Sequence, residues 1–527
     1  MEKPEYHDSA SASSDFETGS DEQQPSVPPV ALERVVSVTN DPRTTNIVLP
    51  RGAGGFPVVP DPQEFIVKLE PTDPKLSVNW PPMKKYKTAG YALMCTLTAS
   101  WGSSIFSSAT LQFMKYFKIH MEVALLGMSL YVCGFASGPV IFAPLSELLG
   151  RKLPLWLGMF AFSCFSIGTA TAADVHTVLI CRFFGGFFAS APMTIVGALF
   201  SDMFDNKSRG KAVCVFAALT FAGPLLAPIV GGFIAKSYLG WRWTEYITSF
   251  MGFGICLILP LMPETYARTI TENEAKRLRA ECNNPFIHAK SEEETMTLSF
   301  VVRNYFMIPL RLLFTEPIVL LLTLYMSFVY GILYLLLEAY PIIFSETHHF
   351  IQGVSSLPYI GLVIGVFCGS FMTVQFEPWY FRQVIKAGGK PVPEARLPPM
   401  IIGSILFPGG IFWLCWSGAY ESVHWIVPAL SGILTGWGIL CIFMQSMNYL
   451  VDAYLFRAAS VLAANTIMRS FVGAGFPLFA VQMFHNLGTG WAGTLIGLLS
   501  VAMIPIPVLF YIYGARIRKM SKMTVML

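Results

Sequence analysis

Ala143-Pro-Leu-Ser-Glu-Leu-Leu-Gly-Arg-Lys152 is a short polar hinge between two long apolar runs, 123–146 and 154–173. About twenty apolar residues cross a bilayer as a helix, so the hinge and its flanks read as a membrane hairpin. Working outward, about twelve such runs can be counted: 89–111, 123–146, 154–173, 176–200, 212–235, 244–262, 317–340, 356–375, 399–418, 425–447, 459–482 and 492–514. A hydrophilic stretch, 263–316, separates the first six from the second six. The whole chain agrees, with 54% hydrophobic and only 13% charged residues among 527. A soluble domain carries roughly a quarter charged residues, and one this apolar would expose large sticky patches. The sequence therefore predicts an all-α membrane protein of about twelve transmembrane helices in two six-helix bundles.

Its expected organisation is a disordered tail at 1–85, a first bundle at 86–262, a central loop at 263–316, a second bundle at 317–514 and a short tail at 515–527. The opening residues are polar and rich in Ser, Asp, Glu and Pro, too poor in apolar groups to fold alone. They are unlike a cleavable signal peptide, so the first hydrophobic helix is expected to drive insertion. The net charge of +3 is too small to suggest a nucleic-acid partner. Nine of the ten cysteines lie in apolar runs and Cys282 in a hydrophilic one, with no C-x-x-C pair; they read as free thiols.

Basic residues set the orientation. One set of loops holds Lys84, Lys85, Lys87, Arg151, Lys152, Lys207, Arg209, Lys211, Arg382, Lys386, Lys390, Arg396, Arg457, Arg516, Arg518, Lys519 and Lys522. The opposite set has Lys115, Lys118, Lys236 and Arg242. Both termini and the central loop are thus expected to be cytoplasmic, and the sequon Asn206-Lys-Ser208 to stay unglycosylated. A plasma-membrane location is expected, with a vacuolar membrane as the alternative.

The local sequences within this layout resemble the major facilitator superfamily. The hinge is similar to its first loop signature, with Ala143 for the leading Gly and Glu147 for the acid. The resemblance implies that Glu147, Gly150, Arg151 and Lys152 form a latch holding the two halves together at the cytoplasmic side. The plainer reading makes Arg151 and Lys152 ordinary membrane anchors. In the fourth run, Arg182-Phe-Phe-Gly-Gly186 resembles the family's R-x-x-q-G element, with Gly185 at the usual Gln position. Arg182 lies roughly 9 Å inside the run at 1.5 Å per residue. It either snorkels outward or faces a partner whose proton affinity it tunes. In the fifth run, Gly223-Pro-Leu-Leu-Ala-Pro-Ile-Val-Gly-Gly232 resembles an antiporter signature, with Ala227 in place of one Gly. Gly223, Ala227 and Gly231 share a helix face that permits close helix approach, while Pro228 removes a backbone hydrogen bond and Gly232 closes the motif.

Further stretches are similar to the fungal twelve-span drug:proton antiporter family, nearest the polyamine and multidrug exporters. They include Trp241-Arg-Trp243, Pro263-Glu-Thr-Tyr-Ala267, Glu274-Ala-Lys-Arg-Leu-Arg279, Pro393-Glu-Ala-Arg-Leu-Pro-Pro399 and Asn448-Tyr-Leu-Val-Asp-Ala-Tyr454. The resemblance covers Asn79 to Lys522. It implies export of a small organic solute by alternating access, with the proton as coupling ion and no other cofactor. A facilitative uniporter or uptake carrier is the alternative. The expected partners are the small-molecule substrate, the proton and the lipid bilayer, with the protein acting as a monomer.

Tyr330, Tyr334 and Glu338 recur every four residues on one helix face. Together with Asn448 and Arg469 they are candidate cavity residues. The aromatic and acidic face suits a cationic amphiphile, although aromatic packing between helices would use the same residues. Glu338 reads either as a cavity-facing site or as an interfacial acid. Arg469, mid-run, is expected to meet a carboxylate, carbonyl or water. Polyamines, drugs and a secondary metabolite all remain open as substrates. Gly488-Thr-Gly-Trp-Ala-Gly493 matches a nucleotide pattern by letter, but no strand precedes it. No Walker-type lysine motif or catalytic triad is readable, and His348-His349 alone is a weak metal site. No enzyme is therefore expected, and a transporter-like sensor would need a folded cytoplasmic extension.

Overall fold

A computed structural model describes residues 65–293, 303–454 and 457–520, and they are almost wholly helical. The first half contains α1 (Pro82–Ser104), α2 (Thr110–Phe117), α3 (Met121–Ser137), α4 (Pro139–Leu148), α5 (Lys152–Thr171), α6 (Val175–Met203), α7 (Asn206–Lys236) and α8 (Arg242–Ile258). The connecting region carries α9 (Ala267–Glu281) and α10 (Ile308–Thr315). The second half contains α11 (Pro317–Pro341), α12 (Tyr359–Lys386), α13 (Pro398–Gly418), α14 (Ile426–Ala453), α15 (Ala458–Leu487), α16 (Thr489–Ala502) and α17 (Pro505–Met520).

Among the described residues, ten helical segments are long and apolar enough to cross a membrane, and eleven when α3 and α4 count as one span bent by 40°. Pro139 lacks an N–H at the break, and Gly138 there lies against Ser190 and the Phe187 carbonyl of α6. α1 completes the set by position, packing on α6 and α7. Its apolarity is low because Thr96, Thr98, Ser100, Ser103 and Ser104 face inward and are buried. Thr96 and Ser100 hydroxyls donate to the carbonyls of Ala92 and Thr96, four residues back, so burial leaves them satisfied.

The two halves repeat one packing scheme. α1 packs on α7 as α11 packs on α15, and α3 on α6 as α12 on α14. Likewise α5 packs on α6 and α8 as α13 packs on α14 and α16. The halves meet where α3 lies against α15 and α7 against α12. Near the Lys/Arg-rich end, hereafter the basic end, Glu377 lies against Gly210; deeper in, Cys214 Sγ reaches the Ser370 carbonyl at 3.5 Å, and at mid-depth the rings of Phe221 and Phe443 are 4.7 Å apart. At the opposite end Gln352 Nε2 donates to the Ser108 carbonyl at 2.8 Å, and Gln482 Nε2 to Glu122 Oε1 at 2.9 Å. The halves are thus closed on each other at both ends.

Two expectations about the connections change. Residues 65–81, assigned above to a disordered tail, form a strap across the basic end. Ile66 bridges to His288, Lys75 Nζ lies 2.6 Å from Glu274 Oε1, and Ser77 Oγ donates to the carbonyls of Asp202 and Thr265. Apolar Phe65 packs on Phe286 with ring centroids 5.6 Å apart, which composition averaged over the whole tail conceals. The central stretch is not featureless either, since α9 and α10 lie within 263–316. Residues 1–64, 294–302 and 521–527 of the expected tails and loop lie outside the described residues.

Candidate functional site

Arg182 on α6 does not snorkel. It is 2% exposed, and Nε donates to the Gly127 carbonyl at 2.9 Å while Nη1 donates to the Gly102 carbonyl at 2.9 Å. Nη2 approaches the Ser103 carbonyl at 3.4 Å, and Nη1 lies 3.2 Å from Glu245 Oε1 on α8. The guanidinium also sits over the rings of Tyr131 and Phe106 at 4.4 and 5.0 Å. Glu245 is fully buried, and its Oε2 has no hydrogen-bond donor. One oxygen of the carboxylate is therefore held by a cation and the other is bare. Gly186, one turn from Arg182, lies directly against the Tyr131 carbonyl of α3, where a Cβ would collide.

The small face of α7 packs on α1 as its spacing predicts. Gly223 lies against Ser100 and Gly231 against Ser108, while Ala227 is buried with Trp101 and Ile105. Gly232 meets Gly353 of the second half, with 3.0 Å between its Cβ position and the Gly353 Cα. Pro228 is buried inside a helix that continues through it. A proline releases the carbonyl four residues back, here that of Pro224. Ser104 Oγ on α1 donates to this carbonyl at 2.8 Å, so the motif comes with its own repair.

On α11, Tyr330 and Tyr334 share a face as expected. Their hydroxyls are 3.3 Å apart, and Tyr334 Oη donates to Ser103 Oγ on α1 at 3.0 Å, linking the two halves. Glu338 is 6% exposed, and its Oε1 lacks a donor among the described residues. Arg469 on α15 meets neither a carboxylate nor a carbonyl among the described residues. Its guanidinium lies over the rings of Tyr330 and Phe443, at 4.6 and 4.7 Å, and Nε donates to nothing. Of the three partners expected for it, the carboxylate and the carbonyl are thus replaced by ring faces, which leaves water. Asn448 is half-buried on α14, five residues beyond Phe443 and so about 7.5 Å nearer the basic end.

In the loop signature, the partners that hold Arg151 and Lys152 lie at the basic end of the first half. Arg151 Nε lies 3.0 Å from Asp202 Oδ2 at the end of α6, and Nη1 donates to Ser146 Oγ. Glu264, beyond α8, accepts from the backbone N–H groups of Arg151, Lys152, Thr265 and Tyr266 at 2.8–3.1 Å. It thereby caps the positive end of α5. Lys152 Nζ donates to the Pro260 carbonyl. These partners of Arg151 and Lys152 all belong to the first half. Gly150 turns the chain at φ +84° with Glu264 beside it, and Glu147 is half-buried at the end of α4. Burial pushes the Tyr266 phenol up, while the Arg151 guanidinium over its ring pulls it the other way. A cavity of about 570 Å³ at this end, lined by Lys152, Trp156, Glu264 and Lys276, lies apart from the central residues.

Residues 92–477 match the model of the Major Facilitator Superfamily. The chain belongs to this superfamily. It is 65% identical to an uncharacterized transporter of Schizosaccharomyces pombe, over 91% of this chain and 89% of that one. It is 45% identical to the multidrug transporter TPO1_1 of Candida glabrata, over 88% and 81% of the two chains. The major facilitator superfamily multidrug transporter FLU1 of Candida albicans is 44% identical over 90% and 79%. Among solved structures, the proton:xylose symporter XylE bound to 6-bromo-6-deoxy-D-glucose superposes with a TM-score of 0.57, at 16% identity over 82% and 96% of the chains. The fold is that of a major facilitator, and the chain is a multi-pass membrane transporter whose relatives include multidrug transporters.

Within this facilitator fold, the second half repeats the basic-end network that sequence reasoning assigned only to the first. Arg396, just before α13, lies 3.0 Å from Asp452 Oδ2 and 3.2 Å from Glu377 Oε1, over the Tyr380 ring. Arg396 and Asp452 thus occupy the places of Arg151 and Asp202. Glu377 also abuts Gly210 of α7, so this second network reaches across the halves. Glu245 was missed as well, although a signal existed. It is a lone acid three residues past the start of α8, as Arg182 is a lone cation seven residues past the start of α6, which runs in the same direction.

Proposed function

We propose that this transporter is a proton-coupled antiporter that exports small organic solutes by alternating access, with the proton as its only coupling species. The buried Arg182–Glu245 pair carries the reading. An ionised pair sealed from water costs several kcal/mol in desolvation, repaid only by close geometry. Loading a proton on the bare Oε2 of Glu245 neutralises the acid and removes the charge that Arg182 holds. The carbonyls of Gly102, Ser103 and Gly127 belong to α1 and α3, so a change at Glu245 is felt by the helices that pack on α7 and α15. α3 and α7 are the first-half helices that border the second half.

Energy suffices for concentrative export. An inward potential of 100 mV contributes about 2.3 kcal/mol per proton, and each pH unit about 1.4 kcal/mol. Together they support a neutral-solute gradient on the order of a few hundred-fold. Similarity to multidrug transporters in two Candida species supports efflux of drug-like solutes. A plasma-membrane location, with termini and basic end in the cytoplasm and a monomer as the working unit, belongs to the same proposal.

The test is efflux of a labelled solute panel from cells expressing wild type or Glu245→Gln, with and without a protonophore, at matched surface expression. Export should collapse with the protonophore, and the variant should lose its dependence on external pH. Flux that persists without a proton gradient would make the protein a uniporter.

A further inference from the structure

Four arginines of the bundles are held by acids. Arg151 holds Asp202, Arg182 holds Glu245, Arg396 holds Asp452 and Glu377, and Arg518 holds Glu394. Arg469, in the middle of α15, has no acid partner among the described residues. Two aromatic faces cover its guanidinium, and Nε is enclosed without an acceptor. Ring faces stabilise the charge but leave the in-plane N–H groups unused, and those suit a planar or tetrahedral oxyanion. One turn back, Asn465 Oδ1 lacks a donor; being neutral, it could not compensate the charge. Glu338 lies eight residues from Tyr330, about 12 Å along α11, beyond ion-pair reach of a group seated on the Tyr330 ring. The two orphans also differ chemically, because a carboxyl becomes neutral by taking a proton whereas a guanidinium keeps its charge.

We infer that Arg469 is the anchor for an acidic group on the solute, making the substrate an organic anion with an apolar or aromatic body rather than a polyamine. This rests on the transport reading above. Tyr330, Phe443 and the Phe221 that meets Phe443 edge to face supply the apolar wall, drawn from both halves. Because Phe221 and Tyr334–Ser103 link the halves beside Arg469, an anion seated there is placed where both halves can sense it. Outward movement of an anion against an inward proton transfers two charges, so the membrane potential drives this exchange. For a monocation the potential would cancel.

The experiment compares 1-naphthalenesulfonate, 1-naphthalenesulfonamide and 1-naphthylmethylammonium, tritiated, for equilibrium binding to the full chain in nanodiscs. The sulfonate should bind at least tenfold tighter than the amide, and the ammonium more weakly than either. Arg469→Met should abolish the preference of the sulfonate over the amide, and Arg469→Lys should keep part of it. The wild-type ratio alone decides the matter even where a variant fails to fold. Binding without preference for the anion, binding of none of the three, or a preference that survives Arg469→Met would overturn the proposal. A separate arm measures sulfonate flux in proteoliposomes under imposed pH and potassium-diffusion gradients. Arg469-dependent binding with no gradient-driven flux keeps the anion site and rejects antiport; flux that rises with inside-negative potential upholds both.

Discussion

Breaking the Arg182–Glu245 pair one side at a time should cost more than removing it whole. Truncating one member of a buried ion pair typically costs about 3–5 kcal/mol, because the other charge is left uncompensated. The two single variants should differ within that range. Arg182→Met leaves Glu245, which can become neutral by protonation, so about 3 kcal/mol is expected. Glu245→Leu leaves a guanidinium that cannot shed its charge. Its hydrogen bonds to the Gly102 and Gly127 carbonyls persist, but no anion remains, so the cost should be about 5 kcal/mol. The double variant should lie well short of the sum, with a coupling of about 3 kcal/mol, and should be more stable than Glu245→Leu alone. The assay is denaturant unfolding of the four purified proteins in one detergent, followed by intrinsic tryptophan fluorescence. Additivity within about 0.5 kcal/mol would mean that the two side chains act independently and that the pair is no unit.

Three further outcomes follow from the packing. Gly186→Val should abolish recovery of folded protein, since its side chain would strike the Tyr131 carbonyl, whereas Gly197→Ala, with nothing within 4 Å of its Cβ position, should be neutral; gel-filtration yield reads both. Glu264→Ala removes the acceptor of four backbone N–H groups and should destabilise by about 1–3 kcal/mol, seen as a lowered unfolding midpoint. Glu264→Gln, which keeps one acceptor oxygen, should fall between. Cysteines at Ser108 and Gln352, whose side chain and backbone meet across the halves, should cross-link through a short bifunctional thiol reagent and arrest solute flux, with reduction restoring it; unimpaired flux in the cross-linked protein would show that this end need not open.

What the sequence by itself determined was set by local periodicity and by the cost of polar groups in hydrocarbon. Run lengths showed the spans and the two halves, although the first run, 89–111, is placed seven residues beyond α1 (Pro82–Ser104), whose first turns carry lysines. Helical spacing put Gly223, Ala227 and Gly231 on one face, and Tyr330 with Tyr334 on another, and both faces pack as that spacing requires. Tertiary structure alone decided the partners. Which acid meets Arg182, whether Arg469 meets any acid, and whether Arg151 clamps its own half or the other all depend on the relative depth and rotation of helices distant in sequence. Glu245 lies 63 positions from Arg182, and Glu264 reaches the start of α5 from 113 positions away. Those depths and rotations follow from close packing between helices, such as Gly186 against Tyr131 and Gly223 against Ser100, and no run of consecutive residues encodes them.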